Sequence, residues 1–311
     1  MTFIRNMGPE EFLKKINKSL KFGHIDNDLL EHDTRFLRGK YLLKMIENVS
    51  KILRSLDFKD TIIFEDNIPY IHINGIKIIL DHTLFLKHSG KKFVSQSLNT
   101  INFIKYIKLD PKIIIDLGAC WGEHSLFYAK EFHKSNIYSI EGSPLNFSTF
   151  LKNLKINKTF SQIIKPFNFI VTDFDGIEEI SNNLNTMNTI KSVNNAEQNY
   201  TKVKSKRLST FILDQNLNDI DFIKIDIEGA EIRLGNDLQN KFIKVVQIEL
   251  INNNKIKDNL NFIKKLSDFY FFYHSKNFKK LSLCETENLI QETLQKSNII
   301  DLFLVNKHYN N

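Results

Sequence analysis

Lys224, Asp226, Glu228 and Glu231 are charges set within the apolar run Ile220–Leu234 (IDFIKIDIEGAEIRL). Charge in such a frame is costly unless it is paired, solvated in a crevice or put to use. A carboxylate held beside a hydroxyl can act as a general base. A lysine desolvated among acids can form a structural ion pair, or it can lose enough proton affinity to help deprotonate a substrate. Phe222, Ile223, Ile225 and Ile227 give the β-branched-rich run of a buried parallel strand, predicted over Asp221–Ile227. Alternation along it puts Phe222, Lys224 and Asp226 on one side. Gly229 then breaks the run, and a helix is predicted to about Leu238. Glu228 and Glu231 fall near its start, where an acid either favours the helix dipole or serves as a base. Asp226 and Glu228 are therefore the leading catalytic candidates, with Lys224 behind them.

An acid also ends the predicted strand Lys112–Asp116, in the sequence Asp116-Leu117-Gly118-Ala119-Cys120-Trp121-Gly122-Glu123. Glycines at a strand-to-helix turn let the backbone approach a ligand closely. The spacing is D-x-G-x-x-x-G, not the G-x-G-x-x-G that brings a pyrophosphate onto a helix N-terminus. A carboxylate there repels a pyrophosphate but suits a cationic ligand, such as the amino group of a bound amino acid. Glu141 closes the next strand, Asn136–Glu141, where an acid can accept both hydroxyls of a ribose. Thr172 and Asp173 follow a third strand, Phe167–Thr172, and Asp173 could accept from an adenine amino group. Together these features favour S-adenosylmethionine (SAM) over NAD. The candidate binding residues are Asp116, Gly118, Ala119, Cys120 and Gly122 of the first turn, Glu141, Gly142 and Ser143 of the second, and Thr172, Asp173 and Asp226 beyond them. His124 reads as a packing histidine. Glu249, ending the strand Ile243–Leu250, could face the same crevice. No metal-ligand spacing appears.

These residues need a scaffold that gathers strand ends. From Pro111 onward strands and helices alternate: Lys112–Asp116, a helix over Trp121–Phe132, Asn136–Glu141, a helix over Pro144–Asn157, Phe167–Thr172, Asp221–Ile227, Ile243–Leu250, a helix over Asp258–Leu266, then strands near Phe269–His274 and Ile299–Val305. This predicts a mostly parallel, doubly wound α/β sheet whose ligand crevice lies beyond the strands' carboxyl ends. The stretch 175–200, rich in Asn and Thr, departs from the rhythm and reads as an insertion or lid. Ahead of this domain (109–311), residues 1–108 form an extension. In it, helices are predicted over Pro9–Phe22, Gly39–Leu56 and Phe93–Ile107, and an antiparallel hairpin unit over Thr61–Leu86, turned by Asn74-Gly75.

With 311 residues, 42% hydrophobic and 25% charged, the chain can bury a sizeable core and has the balance of a soluble globular protein. The net charge of +7 and pI near 9.1 raise nucleic acid as a partner. The basic residues are dispersed, however, and the nearest cluster, Lys202–Arg207 (KVKSKR), is short, so no nucleic-acid partner is expected. Cys120 and Cys284 suit neither a disulfide framework nor a metal site and read as reduced thiols of a cytoplasmic protein. The N-terminal MTFIRNMGPEEFLKK lacks the apolar core of a secretory signal, and no window approaches the ~18 apolar residues of a membrane span.

Three stretches resemble the FkbM family of SAM-dependent methyltransferases: IIIDLGACWGEHSLFYA (Ile113–Ala129), YSIEGSPLNFSTFLKNLKIN (Tyr138–Asn157) and, above all, IDFIKIDIEGAEIRL, which is similar to the family's K-I-D-x-E-G-x-E signature. The family usually continues Gly-Ala-Asn and Glu-Pro where this chain has Gly118-Ala119-Cys120 and Glu141-Gly142-Ser143-Pro144. The resemblance covers about Lys112 to Val305. It implies a class I (Rossmann-like) SAM methyltransferase fold behind an N-terminal helical and β-hairpin extension. It further implies methyl transfer from SAM to a hydroxyl of a sugar, glycan precursor or other secondary metabolite, so a small-molecule or glycan substrate is the expected partner, and a homodimer is left open. Two rivals stand beside it. A nucleic-acid methyltransferase usually carries an Asp/Asn-Pro-Pro-Tyr/Phe turn where this chain has Asp226-Ile227-Glu228-Gly229. A non-catalytic SAM-fold binding protein would accommodate the altered Cys120 and Gly142-Ser143.

Overall fold

The chain divides into two units, Met1–Lys92 and Phe93–Asn311. The computed structural model describes residues 61–65, 68–79, 91–181, 200–252 and 256–309. The predicted helices over Pro9–Phe22 and Gly39–Leu56 lie outside the described residues.

In the first unit, β1 (Thr61–Glu65), β2 (Ile68–Ile73) and β3 (Ile76–Ile79) form an antiparallel sheet. Asn74 (φ 46°) and Gly75 (φ 79°) join β2 to β3, both left-handed as a two-residue hairpin turn requires. This is the hairpin unit expected from Asn74-Gly75; residues 80–86 of its predicted span lie outside the described residues.

From α1 (Lys91–Tyr106), which enters the second unit at Phe93, the chain runs through β4 (Ile113–Leu117), α2 (Glu123–Glu131), β5 (Asn136–Ile140), α3 (Pro144–Ile156), a single helical turn (Lys158–Ser161), β6 (Ile164–Phe167), β7 (Ile170–Thr172), β8 (Gly176–Ser181), β9 (Tyr200–Arg207), α4 (Leu208–Asp214), β10 (Ile220–Ile225), β11 (Ile243–Ile251), α5 (Ile256–Leu266), β12 (Tyr270–His274), β13 (Lys280–Leu281), α6 (Leu283–Lys296) and β14 (Ile299–Asn306). The main sheet has the order β13-β12-β14-β11-β10-β4-β5-β6. From β6 to β11 every pairing is parallel, and β14, β12 and β13 each run antiparallel to the neighbour before them. From β4 the chain steps outward to β5 and β6, then returns to β10 and steps the other way to β11. The strand order therefore reverses between β4 and β10, the place where open α/β sheets form a ligand crevice beyond the carboxyl ends of their strands. The expected doubly wound, class I sheet is present, with β10 beside β4.

The two faces of this sheet differ. On one, Ile223, Ile225, Val246, Ile248, Leu302 and Leu304 share an apolar cluster with Phe262 and Ile263 of α5 and Ile290 and Leu294 of α6. On the other, register lines up Asp116 of β4, Lys224 of β10, Gln247 of β11 and Phe303 of β14. α1 covers that row: the Thr100 hydroxyl donates to Gln247 Oε1 at 2.6 Å, and Phe103 stacks on Phe303 with ring centroids 4.0 Å apart. At the far end of the strands, Asp221 accepts the amides of Lys112 (2.7 Å) and Ile113 (2.9 Å) and pairs with Lys244 (2.7 Å), tying the starts of β4 and β11 to β10.

Several predicted elements are corrected. Phe167–Thr172 is not one strand. β6 stays in the main sheet, and β7 leaves it for a second sheet of order β7-β9-β8. Between them the Asn168 amide donates to the carbonyls of Glu141 (2.8 Å) and Gly142 (3.3 Å), so the chain turns there onto the β5–α3 connection instead of continuing the ladder. The Asn-rich insertion begins as a strand, β8, paired antiparallel with β9; residues 182–199 lie outside the described residues. The helix expected to about Leu238 is a 3₁₀ turn over Glu231–Leu234, because the chain reverses through left-handed residues before it and meets Gly235 and Asn236, poor helix formers, after it. α6 was not foreseen; it starts with a capping box between Ser282 and Glu285.

Candidate active site

The turn after β4 is built on positive φ. Gly118 and Gly122 sit at 79° and Cys120 at 51°. Gly118 has a second reason to be glycine: a Cβ there would lie 1.7 Å from the Asp226 carbonyl oxygen, so the turns after β4 and β10 touch at this point. A Cβ on Gly122 would lie 2.1 Å from the Phe150 ring, which seats α3 against the turn. The Gly118 and Ala119 amides both donate to the Ile140 carbonyl at 3.0 Å, joining this turn to the end of β5.

Glu141 follows directly. Its Oε2 accepts the Cys120 amide at 2.8 Å and its Oε1 the Ser143 amide at 2.7 Å, so one carboxylate fixes both turns. Burial is the main influence on it and pushes its pKa up to about 7, against the lowering effect of those amides. Ser143 also caps α3, accepting the Asn146 amide. Gly142 has no room for a side chain, since a Cβ would meet Ile170 Cγ2 at 2.1 Å. Burial, with Glu123 and Glu141 adding to it, raises the Cys120 thiol well above its ordinary range, so Cys120 contributes its backbone to this turn and not a thiolate.

Asp116 does not reach the crevice surface. It is fully buried, and Oδ2 accepts the Ser125 hydroxyl at 2.5 Å, which is shared with Ser139. Burial raises its pKa, and Lys224 in the next strand opposes that rise. Lys224 is 3% exposed and donates to Asp226 Oδ2 at 2.9 Å. Burial alone would lower the Lys224 pKa, but the carboxylates of Asp226 and Asp116 outweigh it and hold the ammonium well above its ordinary value. This is the opposite direction from the lysine that would give up its proton to become a base. Asp226 is the member of this group that opens outward, with a quarter of its side chain (26%) exposed.

Past Asp226 the chain turns through Glu228 (φ 55°) and Gly229 (φ 102°). Glu231 closes the turn from inside: its Oε1 accepts the amides of Ile227 (3.0 Å) and Gly229 (3.1 Å). Its side chain is buried, which raises its pKa to about 7. Glu228 and Glu231 therefore have separate tasks, one on the turn and one beneath it. Thr172 is fully buried and bonded to Ser205 and the Phe174 carbonyl, so it faces into the second sheet. Asp173 is exposed, and its Oδ1 accepts Arg233 Nε at 2.7 Å; Arg233 also pairs with Glu178 at 2.8 Å.

The structure adds residues that spacing did not single out as a site. Glu123, in the first turn of α2, is buried, its pKa is raised by burial to about 7, and its Oε2 has no partner among the described residues. Asp116, Lys224 and Asp226 are the charges acting on it. His124 is buried, with Nδ1 2.7 Å from the Ser97 hydroxyl, and burial lowers its pKa well below the usual value, in keeping with a packing histidine. Glu249 lies near the carboxyl end of β11, next to this group. Among the described residues, no group of His, Cys, Asp and Glu is arranged to hold a metal ion, and no helix is long and apolar enough to cross a membrane.

The methyltransferase FkbM domain family matches residues 116–279 of this chain. The chain belongs to the FkbM methyltransferase family. The matched segment takes in Asp116, Glu141, Lys224, Asp226, Glu231 and Glu249, and the family's chemistry is methyltransfer. No curated protein matches the chain in sequence. Among solved structures, the methyltransferase FkbM from Methylobacillus flagellatus KT is 14% identical, with a TM-score of 0.37 over 63% of this chain and 44% of that one. A putative transferase from Pyrococcus horikoshii is 13% identical, with a TM-score of 0.41 over 84% and 80%. TYW2 from P. horikoshii, in complex with MeSAdo, is 14% identical, with a TM-score of 0.37 over 86% and 84%. At these identities the likeness concerns the fold alone.

Proposed function

We propose that this FkbM-family protein binds SAM in the crevice between β4 and β10 and transfers its methyl group to a hydroxyl of a sugar, glycan precursor or other secondary metabolite in the cytoplasm. The observation that carries the reading is the pair of carboxylates flanking one glycine turn: Glu141, fixed by two amides, and Asp226, fixed by Lys224. SAM presents ribose hydroxyls, an ammonium and a sulfonium, all donors or cations, and the strand ends present acceptors. Glu141 accepts the Cys120 and Ser143 amides and the Asn146 side chain, and the acceptor capacity its two oxygens have left suits a ribose hydroxyl. The backbone of Gly118, Ala119, Cys120 and Gly122 would lie along the amino-acid portion, with Gly142 and Ser143 toward the adenine. Arg233 holds only Oδ1 of Asp173, and Oδ2 could take the adenine amino group. Asp116 and Thr172, buried and bonded from within, would support these turns and not touch the ligand. Free thiols at Cys120 and Cys284 suit a reducing compartment.

When bound, SAM supplies an electrophilic methyl group. Most of the acceleration would come from holding donor and hydroxyl in line, since well-oriented intramolecular reactions reach effective molarities of roughly 10⁵–10⁸ M. Lys224, remaining protonated, would keep the Asp226 charge aimed at the crevice, and Asp226 or Glu228 would meet the acceptor hydroxyl. Calorimetry with SAM tests the binding step, and absence of binding at millimolar SAM would overturn it. Transfer of labelled methyl groups to fractionated glycan and metabolite extracts tests the chemistry. Asp226→Asn and Glu228→Gln should each lower transfer by about 10²-fold or more with circular dichroism unchanged. Unchanged transfer in both would remove these acids from the reaction.

A further inference from the structure

Glu249, like Glu123, is a buried acid that the reading above leaves without a task. Register locates it. Ile225 pairs with Ile248 in the parallel ladder, so Glu249 stands level with Asp226, one residue past the end of β10. On its other side β14 brings Asp301 directly opposite. The residue is 9% exposed, and among the described residues no hydrogen bond or ion pair holds its carboxyl. Its oxygens are not among the enclosed polar atoms left without a partner, so the carboxyl reaches the surface of the site, where a ligand can complete its bonding. The charged groups facing it are Lys224, Asp226 and Glu228 from β10 and its turn and Asp301 from β14. Burial first, then repulsion from Asp226 and Asp301, push its pKa up to about 9, with Lys224 opposing. The free protein thus carries a neutral acid among anions, a surrounding that a cation would complete.

We propose that Glu249 is the group that balances the positive charge of the donor's sulfonium, and so makes the site prefer the charged methyl donor over the neutral thioether left after transfer. The inference rests on the crevice being the SAM site and deepens that reading. SAM and S-adenosylhomocysteine share the adenosine, ammonium and carboxylate; they differ by a methyl group and a positive charge at sulfur. A cation seated beside Asp226 opposes the burial and the repulsion that together keep the Glu249 proton in place. Donor binding therefore releases that proton to solvent, and thioether binding leaves it on. In the transfer, the methyl–sulfur bond breaks with its electron pair going to sulfur, and the acceptor oxygen forms the new bond to carbon. The hydroxyl proton then finds Glu249, whose proton affinity returns as the sulfur loses its charge.

The test is calorimetric titration of the full chain with SAM and with S-adenosylhomocysteine, from about pH 6.5 to about pH 8.5. The ratio of the two affinities removes the groups both ligands share. In the wild type this ratio should rise toward the donor by up to about tenfold per pH unit. In Glu249→Gln it should be flat, with thioether affinity retained. Asp226→Asn, which removes one repelling charge, should move the rise to lower pH, and it serves as the second test should Glu249→Gln fail to fold. A flat ratio in the wild type, a persisting rise in folded Glu249→Gln, or an unmoved rise in Asp226→Asn would each overturn the proposal. If neither ligand binds, the SAM reading itself falls; if the thioether binds and the ratio is flat, only the role of Glu249 falls.

Discussion

Lys224→Met isolates the ion pair at the centre of the site. The substitution keeps an unbranched apolar stem and removes the ammonium. Asp116 is fully buried, and its Oδ1 has no hydrogen-bond partner among the described residues, so Lys224 is the cation that opposes its desolvation. Removing one partner of a buried pair leaves an uncompensated charge and typically costs about 3–5 kcal/mol. For a unit the size of Phe93–Asn311 that corresponds to a fall in Tm of about 6–20 °C. The pH dependence follows from the direction of the Asp116 shift. Its folded pKa already lies above the unfolded value, so its contribution to stability is full below the unfolded value and is lost as pH rises through the folded one. Loss of Lys224 raises the folded value further and widens that window. The Lys224 shift is upward from 10.5, so the stability it contributes is present throughout the acid and neutral range. Urea unfolding of both proteins at about pH 5 and about pH 8 should therefore show the larger loss at the higher pH. A loss under about 1 kcal/mol at the higher pH, or a larger loss at the lower one, would refute the claim that Lys224 neutralises a buried anion.

Gly118→Ala should abolish measurable SAM binding by calorimetry and lower Tm. Its Cβ would fall 1.7 Å from the Asp226 carbonyl oxygen at a φ of 79°, forcing the two turns apart; wild-type affinity in this variant would contradict the close approach. Glu231→Gln keeps an oxygen for the Ile227 and Gly229 amides but removes a carboxyl whose folded pKa, about 7, lies above its unfolded value. The native group stabilises fully at low pH and loses this effect as pH rises toward 7. Chemical denaturation should thus find wild type gaining on the variant as pH falls, by at most about 1.4 kcal/mol per pH unit; a pH-independent difference would count against it.

Local chemistry made much of this molecule legible. The strands β4, β10, β11 and β14 are apolar runs rich in Ile, Val and Leu, and burial on both faces leaves them little freedom to be anything else. The glycines of the first turn and Glu141 were legible because a strand-to-helix turn has few workable sequences. What escaped depends on residues distant in the chain. The break at Asn168 needs the Glu141 and Gly142 carbonyls to be nearby. Glu123 becomes part of the site only once α2 is packed against β10. The Lys224 shift is a contest between burial and two carboxylates, one of them more than a hundred residues earlier, and spacing cannot say which wins. The Glu231–Leu234 turn replaced a predicted helix because Glu231 serves the turn before it and not a helix after it. α6 was a local signal overlooked: Ser282-Leu283-Cys284-Glu285 fits the S-x-x-E capping pattern.

The asymmetry of the sheet's faces explains how so many acids can be gathered at one crevice. The apolar face fixes the strands, and the strands fix the register that sets Asp116, Lys224 and Gln247 in a row on the other face. Lys224 then stands between a carboxyl group that is fully buried and one that opens outward. Its ammonium cannot turn toward a ligand without leaving Asp116 uncompensated, so the direction in which Asp226 points is set by the buried member of the trio. The same register holds Glu249 level with Asp226 and opposite Asp301, so a cation seated beside Asp226 acts on the Glu249 proton without any movement of the strands. Preorganised charge of this kind needs no rearrangement when a cationic ligand arrives, which is the condition under which electrostatics contributes most to a reaction. A surface cluster of the same acids would lose most of that effect to water and to its own motion.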